Sequence, residues 1–456
     1  MSGSWKARVL KYDGMAPRYT SYPPAPIFKA EFPRETVSDW LRALAPGQNL
    51  SLYLHIPFCA KLCYYCGCNT SIANDYDRVS AYLQILRREI DTAAALVDKG
   101  VIVTQIHFGG GSPTMMADAD FTALMDRLRT AFTLAPDAEI AIEADPRQLT
   151  RGRIDTYVRA GVTRLSLGTQ DFEPEVLAAV NREQPYELTE NAIKWAREAG
   201  IKSVNMDIMY GLPFQTVASI TRTLERVAAL SPERVAFFGY AHVPWMKKHM
   251  GVIGEQNLPD AGLRYDLFEA GKSILVQAGY RAIGIDHFVR PGDAMHAAWK
   301  EGRLNRNFQG YTTDSAQALL GLGASAISAF PQGYAQNLTD QRAYADAVES
   351  GLLPVARGLA KTPDDVVRGE IIMRLMCDFF VDLHAMAQRN DLPTRHFDDN
   401  VAKLAPLIAD HLVDFDGRGL RINPAAPQIA RIAAQAFDAY AAPSAESLKP
   451  RHSRAV

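Results

Sequence analysis

LSLYLHIPFCAKLCYYCGCNT, residues 50–70, runs from a strand pattern straight into a crowd of thiols. Its first seven residues are mostly apolar and suit a buried strand. Cys59, Cys63 and Cys66 then follow at Cys-x3-Cys-x2-Cys, with Cys68 two positions further on. Four of the five cysteines in the 456-residue chain lie in this one loop. Working outward, similar strand patterns recur at 103–110, 139–145, 162–170, 203–212 and 234–243. Between them lie periodic apolar segments such as VSAYLQILRREIDTAAALV and FTALMDRLRTAF, which read as helices. Strands alternating with helices predict an α/β fold with a mostly parallel sheet and right-handed crossovers. Six such units are fewer than the eight of a closed barrel, so a doubly wound sheet and an incomplete barrel both fit. In either fold, ligands belong at the C-terminal ends of the strands, and the cysteine loop sits at such an end.

Three chemistries are open to these thiols. Structural zinc normally joins a Cys-x2-4-Cys pair to a second, distant pair, and the sequence has none. Four ligands within ten residues could still fold around one zinc. A disulfide relay suits an oxidising compartment better than the one read here. An iron–sulfur cluster is held naturally by thiolates, and three of them leave one iron open to a substrate. Cys377, alone in an apolar helical pattern, reads as a core residue.

Other strand ends carry compatible groups. FGGGSPT (108–114) is neither a Walker loop nor a dinucleotide fingerprint, but its glycines let backbone approach a ligand closely. Glu143 interrupts an apolar strand, and Gln170 and Asp207 occupy corresponding places. Arg182, in VNREQ, is placed to meet a carboxylate. Any one of these groups alone reads equally well as a satisfied structural residue. Several at successive strand ends predict one shared cavity.

The net charge of -2 gives no global case for nucleic acid or an anionic membrane. No apolar run approaches the roughly 20 residues of a membrane span. The first residues lack the apolar core of a secretory signal, so the expected location is the cytoplasm. Residues 1–48 form a proline-containing arm without long helices, either a surface lead-in or a strap across the body. Residues 246–360 look mixed. From Thr362 onward, helices flank a hairpin around Asp416 and Gly417, suggesting a small winged-helix-like domain over 361–442. With 12 Lys/Arg against 13 Asp/Glu from 360 to 456, that domain lacks the basic balance of a duplex binder. The tail, 443–456, is polar and is expected to be loose.

Taken together, YLHIPFCAKLCYYCGC, GGGSPT, IEADP, RLSLGTQDF, VNREQ and DIMYGLP resemble the radical S-adenosylmethionine (SAM) enzymes. More narrowly they resemble the oxygen-independent coproporphyrinogen III oxidases (dehydrogenases). The likeness extends from PRYTSYPP through YAHVP, GIDHFVRP and NFQGYTT into the C-terminal region; Ser112 stands where threonine is expected. The resemblance implies an incomplete (β/α)6 barrel over 49–360, with the arm and the C-terminal helical domain as covers. It implies a [4Fe-4S] cluster on Cys59, Cys63 and Cys66, and two bound SAM molecules. Tyr53, Gly110, Glu143 and Ile327 would line the first SAM site. Tyr65, Gly111, Ser112, Gln170, Arg182, Asp207 and Ala241 would line the second. Cys68 is placed in the catalytic set, near the cluster but not on it.

The implied reaction converts two propionates of coproporphyrinogen III to vinyl groups through 5′-deoxyadenosyl radicals, giving protoporphyrinogen IX for haem biosynthesis. The expected protein is a monomer fed by an unidentified low-potential electron donor, with no nucleic-acid or membrane partner. Arg18, Arg290 and Arg306 are candidates to meet the substrate's carboxylates. A haem chaperone of the same superfamily is a rival, although such chaperones are expected to lack Cys68 and the PRYTSYPP arm. A radical SAM enzyme with another substrate and a zinc-stapled interaction protein are the others.

Overall fold

The computed structural model describes residues 5–441 of the chain. Each of the six patterned stretches forms a strand: β1 (Asn49–Ile56), β2 (Ile102–Gly110), β3 (Thr133–Ala144), β4 (Arg164–Gln170), β5 (Ser203–Tyr210) and β6 (Arg234–Gly239). They lie in sequence order, and every pairing among them is parallel. Helices α1 (Tyr76–Ala94), α2 (Asp118–Ala131), α3 (Arg151–Arg159), α4 (Tyr186–Glu198) and α5 (Val217–Leu230) make the crossovers. A doubly wound sheet needs a reversal of strand order, and there is none in this array. Crossovers of one hand then put all the helices on one face, and the sheet curls toward a barrel.

The strands alternate accordingly. Leu52 and Leu54, Ile106 and Phe108, Leu165 and Leu167, Met206 and Ile208 are buried together under the helices. Each contributes on the order of 1.5–3 kcal/mol of apolar burial. The opposite positions, Ser51, Gln105, His107, Glu143, Ser166, Asn205 and Asp207, line the barrel interior. β3 begins six residues before its expected start, and Pro136 falls in its register break opposite β2, where no ladder donor is needed.

After α6 (Ala261–Gln277), β7 (His287–Val289) joins β6 antiparallel. A short ribbon follows from β8 (Asn305–Asn307). β9 (Ala318–Leu322) is then a seventh parallel strand, on the free side of β1. The region read as mixed thus extends the sheet, and β10 (Ile327–Phe330) continues it antiparallel. Its edges are Lys29–Ala30 and Arg281–Ile283, which do not pair with each other among the described residues.

The arm is a strap rather than a lead-in. Val9, Tyr19 and Tyr22 are buried in the core built around α7 (Pro363–Asp378), while Trp40 and Leu41 pack into the main core. α7 starts at a capping box of Thr362 and Asp365 with Pro363 at its first position. The expected hairpin is present as Val413–Phe415 and Gly419–Ile422, joined by Phe380–Asp382 as a third strand. The helix expected after the hairpin is short: a 3-10 turn over Pro427–Ile429 followed by α8 (Ala430–Gln435). The tail from 443 lies outside the described residues.

Cys377 on α7 is fully buried, 3.7 Å from the Met373 sulfur, and burial pushes its thiol up to about 12. Cys377→Ala should leave iron content unchanged and cost about 1 kcal/mol of stability. Iron assay and thermal melting check this, and a loss of iron would contradict the core assignment.

Candidate active site

The cysteine loop is pinned at its base. Phe58–Cys59 pairs with Ser71–Ile72, and the Ala73 amide donates to the Cys59 carbonyl at 3.1 Å. On its far side, Asn181 Nδ2 donates to the Leu62 carbonyl at 2.7 Å and the Tyr64 amide to the Val180 carbonyl at 3.0 Å. From outside, Lys247 Nζ reaches the Cys68 carbonyl at 2.9 Å and His249 Nε2 the Cys66 carbonyl at 2.8 Å.

The thiols face a cleft of ≈ 540 Å³ at the C-terminal strand ends. Cys59, Cys63, Cys66 and Cys68 line it with Tyr65, Gly110, Gly111, Ser112, Glu143, Gln170, Arg182, Asp207 and Ala241. Tyr53 and Ile327 are the two expected site residues outside that lining. Tyr53 lies beneath it on β1, its ring 5.9 Å from that of His107 and its hydroxyl 3.1 Å from His55 Nδ1. Ile327 opens β10, its backbone pressed against Gly321 of β9, the register partner of Tyr53.

The thiols sit in unequal surroundings. Arg182, 6 % exposed, puts Nη1 3.4 Å from Cys63 Sγ, with Asp145 3.5 Å from its other nitrogen. Thr70 Oγ1 donates to Cys59 Sγ at 3.2 Å, yet burial outweighs this and pushes Cys59 up to about 11. A hydrogen bond from Cys68 pulls Cys66 down to about 6 and raises Cys68 itself.

Glu143 sits deep in the protein with its carboxylate turned to the cavity. Burial would raise it, but the hydrogen bond and charge of His107, at 2.9 Å, and the Gly110 amide hold it below the usual carboxylate range. Asp207 moves the other way, to about 6, through burial and then the charge of Glu143.

The glycine stretch wraps the loop. Gly110 has φ +114°, and a Cβ there would lie 2.6 Å from the His55 ring. The Ser112 amide donates to the Phe58 carbonyl at 2.7 Å, while its hydroxyl is spent on Thr114 at 2.5 Å and Gln148 at 3.3 Å. Gln170 has φ +71° at a break in the β4–β5 register, with its buried Oε1 unpartnered. Strained backbone and an orphaned acceptor at one point are features that suit a ligand contact.

Of the three arginines proposed for carboxylates, Arg18 and Arg306 reach the cavities, whereas Arg290 does not. Arg290 lies at the opposite end of the sheet, bonded to Ser231 and stacked over Tyr280. His107, Asp145 and Arg147 were missed by the sequence reading. His107 was legible, since it is a polar residue on the inward positions of a strand, as Glu143 is.

Three thiols on one loop at the mouth of an open parallel β/α barrel define the radical SAM class, and residues 53–227 match the radical SAM superfamily. Residues 362–428 match the HemN C-terminal domain. An oxygen-independent coproporphyrinogen III oxidase of Bradyrhizobium diazoefficiens is 45% identical over 440 residues, covering 96% of this chain and 97% of the relative. One from Escherichia coli is 42% identical, covering 95% of each chain. A solved structure of coproporphyrinogen III oxidase (HemN) from Escherichia coli, described as a radical SAM enzyme, superposes with TM-score 0.91 at 40% identity over 96% of this chain and 100% of that one. The chain belongs to the oxygen-independent coproporphyrinogen III oxidase family, whose radical SAM chemistry uses a [4Fe-4S] cluster and SAM.

The residues fit those groups. Among the described residues no three His, Cys, Asp or Glu side chains are gathered to hold a single ion. A cluster asks instead for thiolates spread along a loop, one to each iron. The unpartnered Gln170 Oε1 and Arg182 Nε, with the close backbone of Gly110 and Gly111, suit a polar, partly charged organic ligand.

Proposed function

We propose that this protein carries out the oxygen-independent oxidative decarboxylation of coproporphyrinogen III to protoporphyrinogen IX. The observation that carries the proposal is the convergence of the cysteine loop, the glycine stretch, the strand side chains Glu143, Gln170 and Asp207, and Arg182 on one cleft that opens into the barrel. Cys59, Cys63 and Cys66 would hold the cluster. Tyr53, Gly110, Glu143 and Ile327 would serve one SAM, and Tyr65, Gly111, Ser112, Gln170, Arg182, Asp207 and Ala241 a second. Bound together, cluster and SAM supply an oxidant strong enough to take hydrogen from a propionate carbon.

The chain's own groups bind, orient and shield. Arg182 offsets thiolate charge beside Cys63. Glu143, held ionised by His107, is suited to accept an ammonium group. The arm, reaching the cleft through Arg18, helps exclude water from a site that must not leak a radical. Cys68, which lines both the cleft and the barrel interior, is assigned to the substrate side. The same proposal divides the chain into an arm (1–48), a catalytic body (49–360), a C-terminal cover (361–442) and a tail (443–456). It has the protein acting as a cytoplasmic monomer on a low-potential electron donor, without nucleic-acid or membrane partners. No described helix is long and apolar enough to cross a membrane.

The test is an anaerobic assay with reductant, SAM and coproporphyrinogen III. CO2 release with protoporphyrinogen formation is expected. Haem binding without CO2 release would favour the chaperone alternative, and SAM cleavage without decarboxylation would favour another substrate.

Glu143→Ala should weaken SAM binding about tenfold, the loss of one charge-assisted hydrogen bond, with iron content near normal. Equilibrium dialysis checks this, and unchanged affinity would refute the assignment. Asp207, titrating near 6, should be ionised at neutral pH and protonated at pH 5. If it faces the positive cofactor, affinity falls from pH 7 to pH 5, and Asp207→Asn flattens that dependence.

A further inference from the structure

The stretch YAHVPWMKKHMGVIG, residues 240–254, lies between β6 and α6 and holds no Asp or Glu. It folds back on itself. The Met246 and Lys247 amides donate to the Val243 carbonyl at 2.9 and 3.0 Å, and the Val243 amide to the Met250 sulfur at 3.4 Å. One face of this fold walls the cleft, through Tyr240, Ala241, Val243 and Met250. It also grips the cysteine loop, where Lys247 and His249 reach the Cys68 and Cys66 carbonyls. The other face meets solvent, with Trp245 46 %, Met246 63 % and Val252 64 % exposed. One layer of chain therefore separates water from the thiols here. The loop's base and far side are instead backed by Ser71–Ile72 and by Val180 and Asn181.

Of the thirteen large apolar side chains exposed among the described residues, these three fall within eight positions of one segment. Such grouping marks a contact surface, whereas scattered exposure does not. Trp and Met are also side chains that protein interfaces favour. The surroundings are basic. Lys248 is exposed with no ion-pair partner among the described residues, and Lys61 is exposed on the cysteine loop at the same cleft. Lys247 keeps its charge, since its partner is a carbonyl. The nearest acid further along the chain is Glu255, exposed and 3.9 Å from His242 Nε2. A chain of net charge -2 thus turns a positive patch with an apolar centre outward beside its thiols. That form suits a small, transient protein contact, in which charge steers the encounter and little area is buried.

We infer that residues 244–252 are the docking surface for a small acidic one-electron carrier protein. This rests on the proposed function, whose cluster has to be reduced from outside. The reduced carrier gives one electron to the cluster behind the segment and is itself oxidised by one electron; no bond forms or breaks, and no proton moves. A weak contact suits a carrier that must leave after each delivery.

Holoenzyme purified without air is titrated by calorimetry with two oxidised acidic carriers, a plant-type [2Fe-2S] ferredoxin and an FMN flavodoxin. Wild type, Trp245→Ala and Lys248→Glu are compared, each checked by thermal melting. Wild type should bind at least one carrier, with affinity falling from about 50 to about 300 mM salt. Both variants should bind that carrier about tenfold more weakly. SAM cleavage driven by the reduced carrier should fall with binding, while cleavage driven by dithionite stays at the wild-type rate. Dithionite-driven cleavage by a wild type that binds neither carrier overturns the docking surface alone, as does a folded variant with unchanged affinity. Equal losses with dithionite would give the segment to the active site and overturn it too. A wild-type dimer that Trp245→Ala dissolves, without carrier binding, would give the patch to a second copy of the chain. If no reductant yields SAM cleavage by wild type, the proposed function fails, and the electron-entry role with it. Should a variant not fold, wild type alone decides: cytochrome c, a basic carrier, is expected to bind about tenfold more weakly than the acidic one, and equal affinity overturns the proposal.

Discussion

Cys59→Ala, purified without air, is expected to be colourless and inactive, with iron near background and no SAM cleavage. Cys59 is anchored by the backbone ladder to Ser71–Ile72 and by Thr70, so no neighbouring thiol can move into its place without unpicking the loop base. Cys68 is the nearest alternative in sequence, but its thiol is engaged with Cys66. Two remaining thiolates hold a cubane poorly, and a cluster with a second open corner is readily lost. Iron and sulfide analysis with a SAM-cleavage assay reads the result. A variant that keeps its colour and still cleaves SAM would remove Cys59 from the ligand set.

Gly111→Ala should lose cluster and turnover almost as fully, although no ligand is touched. The added Cβ would stand 2.6 Å from the Phe58 carbonyl oxygen, 2.6 Å from Thr70 Oγ1 and 2.8 Å from the Phe58 nitrogen. Two of these are backbone atoms, held by bonds from the Gly111 amide to the Ile56 carbonyl at 2.9 Å and from the Ser112 amide to the Phe58 carbonyl at 2.7 Å. The strand end must therefore shift, at about 1–3 kcal/mol. Cys59 and its partner Thr70 shift with it. Misplacement by about 1 Å is enough to cost about a hundredfold in rate. Gly67→Ala is the control: it lies between Cys66 and Cys68, yet nothing stands within 4 Å of its added Cβ, so iron and activity should persist. Equal behaviour of the two variants would show that the glycine stretch does not support the loop.

These expectations start from features a reader of the sequence can see. The strand before the cysteines, the three-glycine turn and lone polar residues such as Glu143 and Asp207 share one cause: inward positions at the C-terminal ends of parallel strands. Alternation reveals that face, so the cleft could be read from residue types. Choosing between barrel and doubly wound sheet required the strand order, which the sequence does not carry. β9 was hidden because a short apolar strand has no period to distinguish it within a mixed region.

The central claim is that three thiolates hold a cluster with one corner left for SAM. Anaerobic metal and sulfide analysis, joined to the spectrum of the reduced protein before and after adding SAM, tests it most directly. About four irons and four sulfides per chain, with a spectrum that changes on SAM addition, are predicted. One zinc and no visible absorption, or a cluster spectrum indifferent to SAM, would contradict the account.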